Sequence, residues 1–344
     1  MPPTYARELH TINLVKGVHA TTAIEGNTLS EEEVAEIVRR NAQEVERTSS
    51  YREQEVANVL RVYNDLTDRV ARADIPVLTP ELILNFNAQV LETLSLDAEI
   101  QPGKLRQHSV VVGPYRGPDW ENCESLLSEM CTWLNSESFA SEGDLRIPMA
   151  ILKAALAHLY LASIHPFGDG NGRTARLCEF LVLITSGVPT SAAHLISNHC
   201  NNTRDEYYRQ LRHASESGGD VSRFVSYCAE GFVSGLQDQL EWVYDRQLRL
   251  AWHEYVGDNV PGRDVDVKER RTLVAETLFD RRVGKDLIIE LTPALARAYA
   301  RSGPKVVTRD LQELVDAGLV EETNGTYRAK TEVLLSLLSL VVPE

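Results

Sequence analysis

Cysteine is scarce in this chain: five residues among 344, at Cys123, Cys131, Cys178, Cys200 and Cys228, with no CxxC spacing. That scatter argues against a zinc site or a disulfide framework and predicts reduced thiols. Basic residues are also in deficit, with 35 Lys+Arg against 50 Asp+Glu and a formal net charge of -15. A nucleic-acid backbone would repel such a chain as a whole, which excludes generic nucleic-acid binding. Long apolar runs are missing, since the pure apolar stretches fall far short of a membrane span. The first ten residues carry no apolar h-region, so no signal peptide is expected. These absences predict a soluble, cytoplasmic protein with no membrane partner. What remains, 43% hydrophobic and 25% charged residues, is ordinary globular composition, and the length suggests two or three domains.

Against this background one stretch stands out: His165-Pro166-Phe167-Gly168-Asp169-Gly170-Asn171-Gly172-Arg173-Thr174-Ala175-Arg176. Apolar runs with helical spacing flank it at residues 151–164 and 177–184, which predicts helix–loop–helix. Pro166 stops the first helix by forcing its predecessor out of the αR region. The glycines let the loop turn tightly and bring backbone close to a ligand. The second helix opens with free N–H groups and a positive dipole end, both suited to an anion. Arg173 and Arg176 share one face of its first turns. The convergence points to phosphate. Asp169 is a hard oxygen ligand suited to Mg²⁺ on a nucleotide. His165 is a candidate general base at neutral pH. Alone, a histidine before proline is usually a helix end and Asp-Gly a turn. Their union with a basic helix start sets them apart.

The stretch resembles, position for position, the signature of the Fic family, His-Pro-Phe-x-(Asp/Glu)-Gly-Asn-Gly-Arg-x-x-Arg. Members mostly transfer AMP from ATP to protein hydroxyls. The resemblance implies that His165 deprotonates a Ser, Thr or Tyr hydroxyl of a target protein and that Asp169 holds Mg²⁺. It implies that Gly170, Asn171 and Gly172 bind the α- and β-phosphates through backbone and amide. Arg173 and Arg176 would face the β- and γ-phosphates, with Thr174 and Ala175 completing the nucleotide-binding stretch. A phosphotransferase offshoot of the family has Lys where this chain has Gly172, which favours nucleotidyl transfer here.

A second segment, Thr21-Thr22-Ala23-Ile24-Glu25-Gly26-Asn27, reads from its residues as a loop between helices with Gly26 as a C-cap. It also resembles the family's inhibitory motif, (Ser/Thr)-x-x-x-Glu-(Gly/Asn), through Thr21, Glu25 and Gly26. The resemblance implies that Glu25 pairs with Arg176 and so denies it to the γ-phosphate. Arg–carboxylate pairing is strong and directional, so one residue can act as a brake.

The expected fold is mainly α: a Fic-type helical core with a small β-hairpin flap, and a C-terminal winged-helix-like domain. Residues 1–95 read as an N-terminal helical region carrying the inhibitory motif, and 96–245 as the catalytic core. Residues 246–265 read as a linker, and 266–344 as the last domain with a C-terminal helix. A β-rich run ending in Val110, Val111, Val112 and Gly113 predicts a hairpin. By resemblance the flap spans Arg106 to Gly113, and it aligns an extended target segment by strand addition with those four residues nearest the nucleotide. Tyr207 and Tyr208 are candidate contacts for adenine, again by resemblance, while Ser215 stands where relatives often have Asn. The resemblance covers roughly residues 10 to 240 and extends to homodimers.

In the last domain, three helical patterns precede short β runs around Asn324-Gly325, a strong hairpin signal. Lys305, Arg309 and Gln312 on the third helix would be available to a DNA groove. Near-equal numbers of acidic and basic residues there permit DNA binding without demanding it. The leading reading is an ATP- and Mg²⁺-dependent protein adenylyltransferase, acting on a target protein and on itself and restrained by Glu25. The alternatives are removal of AMP from a modified target, and a nucleotide-sensing DNA-binding regulator.

Overall fold

A computed structural model describes residues 3–41, 50–112, 115–300, 302 and 304–337. The chain is mainly helical, 69% helix with small antiparallel sheets. It divides into two compact units, residues 2–239 and 240–344.

In the first unit, α1 (Pro3–Ala23), α2 (Glu31–Asn41), α3 (Tyr51–Ala71) and α4 (Pro80–Val90) precede a two-stranded hairpin of β1 (Val111–Val112) and β2 (Tyr115–Arg116). Then come α5 (Cys123–Leu134), α6 (Arg146–Ile164), α7 (Asn171–Thr185), α8 (Leu195–Asn202) and α9 (Arg204–Glu216). The local reasons are readable. Ser30 and Glu33 exchange hydrogen bonds in a capping box at α2. Thr79 caps α4, with Pro80 in its first turn. Helix α4 ends at Val90, and Thr93 just beyond it turns left-handed.

Helix α7 is the organising element, with α1, α3, α4 and α6 packed on it. From Arg173 to Ile184 every residue of α7 is buried, the profile of a helix enclosed on all sides. Its chief partner is α6, whose Ala154, Ala155, Ala157 and Leu161 are fully buried. The helical stretch Gly143–Ile164 is longer and more apolar than the sequence runs suggested, enough to cross a membrane by length and composition. Half of its apolar window is buried within the structure. The expected N-terminal region and catalytic core therefore share one hydrophobic core.

The expected linker at 246–265 is largely absent. Helix α10 (Ser222–Asn259) runs through most of it, and the division of units falls inside this helix. Gly257, inside that range, sits at a helical position and leaves the helix unbroken. The second unit continues with α11 (Val265–Thr277), β3 (Val283–Gly284), α12 (Pro293–Tyr299), α13 (Pro304–Asp316), β4 (Val320–Thr323), β5 (Thr326–Ala329) and α14 (Glu332–Leu337). The hairpin at Asn324-Gly325 forms with both residues at positive φ. Strand β3, not anticipated, adds to β5 and makes a three-stranded sheet. Around its core, Asp310 is fully buried between Arg270 (2.7 Å), Arg271 (2.9 Å) and the Tyr299 hydroxyl (3.1 Å). The apolar tail expected at 333–342 is helical to Leu337, and its remainder lies outside the described residues.

Candidate active site

The loop between α6 and α7 is held from three sides. His165 ends α6 in the left-handed region (φ 48°), with its N–H still donating to the Leu161 carbonyl. A non-glycine residue there carries strain, about 1–3 kcal/mol, of the kind that gathers at functional sites. Gly170 begins α7 at φ 78°, a conformation side chains resist. Asn171 turns its amide inward: it donates to the Phe167 carbonyl (2.9 Å) and accepts from the Phe167 N–H (3.0 Å). These two bonds fix the Asn171 side chain across the loop.

Asn87 from α4, fully buried, donates to the Asp169 carbonyl (2.9 Å) and accepts the Gly103 N–H (3.0 Å). Arg106, also buried, donates to the carbonyls of His165 (2.8 Å), His108 (2.6 Å) and Pro118 (2.7 Å). Its backbone N–H reaches Pro166 (2.9 Å), so one arginine clamps the base of the hairpin to the loop.

The two arginines sit deep in α7. Arg176, fully buried, donates through Nη2 to Glu25 Oε1 (2.5 Å) and to the Thr21 carbonyl (2.9 Å). Among the described residues its Nε and Nη1 have no partner, nor has Nε of Arg173. Buried guanidinium N–H groups left unpaired are costly, and an anion supplies what they lack. Arg173 meets Glu55 Oε1 (2.6 Å) and Asp169 Oδ1 (2.9 Å). Asp169 stays one-third exposed and fits Mg²⁺ arriving on a triphosphate, which asks the protein for one or two carboxylates. Among the described residues no cluster of three or more His, Cys, Asp or Glu is arranged to hold a metal alone.

The segment carrying Glu25 both turns the chain after α1 and pairs with Arg176. Gly26 (φ 95°) closes the end of α1 in a left-handed turn, while Glu25 reaches across to α7. A Cβ on Gly172 would run into the Glu25 carboxylate, so glycine at 172 gives that carboxylate its place. Burial pushes the Glu25 carboxyl up, but Arg176, helped by Arg173 and His165, overrides this and holds it below the usual value. Arg176 is in turn pushed up by Glu25 against the effect of burial. Thr21 contributes its carbonyl to Arg176, whereas its hydroxyl pairs with Tyr63 (2.9 Å).

A cleft of about 630 Å³ opens beside this group, lined by Ile24, Glu25, Tyr115, His165, Gly172 and Tyr208 among others. Burial lowers the pKa of His165, partly opposed by its contact with the Ala162 carbonyl. That contact (Nδ1 to O, 3.3 Å) suits an Nδ1–H tautomer, leaving Nε2 as the basic nitrogen. Tyr208 is well exposed on the cleft, its hydroxyl donating to the Ile24 carbonyl (3.3 Å). Tyr207 touches the cleft too but is buried, with its hydroxyl on His158 Nε2 (2.9 Å). His158 then meets Glu179 (2.6 Å). Tyr207 is therefore a wall held from behind, and Tyr208 is the tyrosine that faces outward. Ser215 lines the same cleft with its hydroxyl turned back to the Arg212 carbonyl (2.7 Å).

Among the described residues, Gly172, Tyr207 and Tyr208 are the expected nucleotide-binding residues that line the cleft. Thr174 and Ala175 are completely buried in helix packing. Val110 and Val111 do not line it. The hairpin contributes Tyr115, whose hydroxyl bonds the Ser163 carbonyl (2.6 Å). The paired part is shorter than expected, Val111 with Arg116 and Val112 with Tyr115, and Gly113 lies outside the described residues.

Glu55, Asn87 and Arg106 were missed as site residues. A signal existed for two of them: Asn87 and Glu55 lie among Phe86 and Val90, and Val56 and Val59, where a helix buries its apolar face.

Comparison with known proteins agrees with this geometry. Residues 77–183 match the Fic/DOC family. The chain is 31% identical over 220 residues to protein adenylyltransferase fic-1 of Caenorhabditis briggsae, covering 64% of this chain and 40% of that protein. It is 30% identical over 216 residues to protein adenylyltransferase Fic of Drosophila ananassae, covering 62% and 39%. The chain thus spans about two fifths of the length of the curated relatives it matches. Among solved structures, a Fic family protein from Desulfovibrio desulfuricans shares the fold over 94% of this chain and 87% of its own, with TM-score 0.56 and 18% identity. Fic-1 from C. elegans aligns with TM-score 0.53 and 29% identity over 72% of this chain and 65% of its own. Residues 77–183, with their phosphate-suited loop, are thus similar to the Fic/DOC family, on a chain similar over 64% of its length to a protein named protein adenylyltransferase.

Proposed function

We propose that this chain transfers AMP from ATP, accompanied by Mg²⁺, to a hydroxyl of a target protein, and that Glu25 restrains the transfer. The observation that carries the reading is Arg176: buried, bound to Glu25, which lines the cleft together with His165, and left with two guanidinium nitrogens unpartnered among the described residues. In the forward step, Nε2 of His165 takes the proton of the target hydroxyl. The oxygen attacks the α-phosphorus, the bond to the β-phosphate oxygen breaks, and pyrophosphate leaves. Loop N–H groups at the start of α7 and the two guanidiniums stabilise the negative charge that builds on the phosphates. Asp169 would hold Mg²⁺, which neutralises phosphate charge when bound.

The deciding test is mass spectrometry of the Glu25→Gly protein after incubation with each nucleoside triphosphate. An added AMP mass on a Ser, Thr or Tyr after ATP supports the reading. Addition of a phosphoryl group alone, or no addition even when candidate targets are supplied, overturns it.

The pH dependence follows from His165. Its folded pKa lies below the ordinary 6.5, so the neutral, basic form persists into mild acid. Glu25 and Asp169 oppose that lowering, so removing Glu25 moves the value further down. Incorporation by Glu25→Gly, followed from about pH 5 to 8, is expected to keep its acid limb below 6.5. An acid limb above 6.5 would count against His165 as the base.

Glu25 also lines the cleft, where a carboxylate could position water, and this favours removal of AMP as the second reading. An AMP-modified target offered to wild type and Glu25→Gly separates the two, since removal that survives the substitution excludes this role for Glu25. We read α11, α12 and α13 of the second unit, with its three-stranded sheet, as winged-helix-like. Lys305, Arg309 and Gln312 are exposed on α13, which is the basis for DNA as a further partner. Five free, buried cysteines support a cytoplasmic setting.

A further inference from the structure

Glu55 is a carboxylate with almost no exposure, 5%, and its two oxygens have two different partners. Oε1 takes Arg173 Nη1 at 2.6 Å, and Oε2 takes the Asn27 amide at 2.8 Å. Asn27 is fastened in turn by its amide to the Arg52 carbonyl (3.0 Å) and by Oδ1 to the Leu29 N–H (3.0 Å). Asn27 lies two residues after Glu25, so α3 is bonded both to the brake segment and to the first arginine of α7. Arg173 itself is strung between two carboxylates, Glu55 on one side and Asp169 on the other.

We infer that Glu55 is a positioning residue: it holds Arg173 where its guanidinium can meet the outer phosphates of ATP and keeps it from closing fully on Asp169. A buried guanidinium turns to whatever carboxylates surround it, and Arg pairs two-pronged where geometry allows. With Glu55 neutral, Asp169 is the carboxylate left to Arg173, and the guanidinium is drawn onto the oxygens suited to Mg²⁺. A buried charge is costly unless paired, and here both oxygens are bonded within the site. Burial pushes the Glu55 carboxyl up while Arg173 and Asn27 oppose that rise. This inference rests on the proposed reading that Arg173 serves a triphosphate.

The test is direct binding by calorimetry in the Glu25→Gly protein, with Mg²⁺ present, comparing ATP with AMP. Glu55→Gln is expected to weaken ATP by about tenfold, the scale of one lost charge-assisted hydrogen bond, and to leave AMP within about twofold. Equal losses for ATP and AMP, or no loss for ATP, overturn the inference, because a merely structural role does not distinguish the outer phosphates. If Glu55→Gln does not fold, Asn27→Ala removes one support of the carboxylate. It is expected to weaken ATP alone, by about threefold. Absence of that selectivity is equally fatal. Should Glu25→Gly bind ATP yet transfer no label, the transfer reading falls while this comparison still decides the role of Glu55.

Discussion

Glu25→Gly is expected to raise incorporation of label from α-labelled ATP into protein by roughly 10- to 100-fold, a range set by one hydrogen bond between charged groups at about 1.5–3 kcal/mol. The carboxylate does two things at once in the resting structure. It occupies Nη2 of Arg176 at 2.5 Å, and it fills the space over Gly172 at the first turn of α7. A triphosphate seated on the start of that helix needs both the guanidinium and the space. Removing the side chain releases both, while Arg176 keeps its bond to the Thr21 carbonyl and remains in place. Acid is a poor substitute for the mutation. The folded pKa of Glu25 is depressed, so its contribution is present above the ordinary carboxylate value and is lost as pH falls through the lower, folded value. The ion pair with Arg176 therefore persists across the neutral range. Unchanged incorporation by Glu25→Gly, measured alongside wild type at equal protein concentration, would show that this ion pair does not limit the reaction.

The loop from His165 to Arg176 was legible because its residues are locally decisive. A proline stop, glycines with special backbone and a basic helix start act within one turn of each other. Thr21 to Asn27 was legible by resemblance, and the structure reconciles it with its residue-level reading, since a C-cap glycine is what turns Glu25 inward. The failures share a cause in long-range packing. Nothing local tells that Asn171 spends its amide on Phe167, or that Tyr207 and Tyr208, adjacent in sequence, split into a buried wall and an exposed face. Arg106 resembles any surface arginine until the loop carbonyls of His165 and Pro118 are placed around it. Helix α10 overran an expected linker because a single glycine costs a helix only about 1 kcal/mol, less than packing returns.

His165→Ala, in the Glu25→Gly background, is expected to lower label incorporation by about 10²- to 10⁴-fold, the usual contribution of a positioned general acid–base group. The geometry argues that the loss comes from chemistry. The His165 backbone is fixed independently of its ring: its N–H is bonded to Leu161 and its carbonyl to Arg106. The imidazole makes one long contact, Nδ1 to the Ala162 carbonyl, so truncation leaves no buried partner unpaired except that carbonyl. Alanine at φ 48° is less comfortable than histidine, so His165→Asn, which tolerates the left-handed region, is the control for backbone strain. Both variants are expected to bind ATP within about twofold of the parent, because the phosphate donors lie on α7 and not on the ring. A large loss of ATP affinity in both would move His165 from the reaction to the binding of nucleotide. Label incorporation equal to the parent in either variant would remove it from the mechanism altogether.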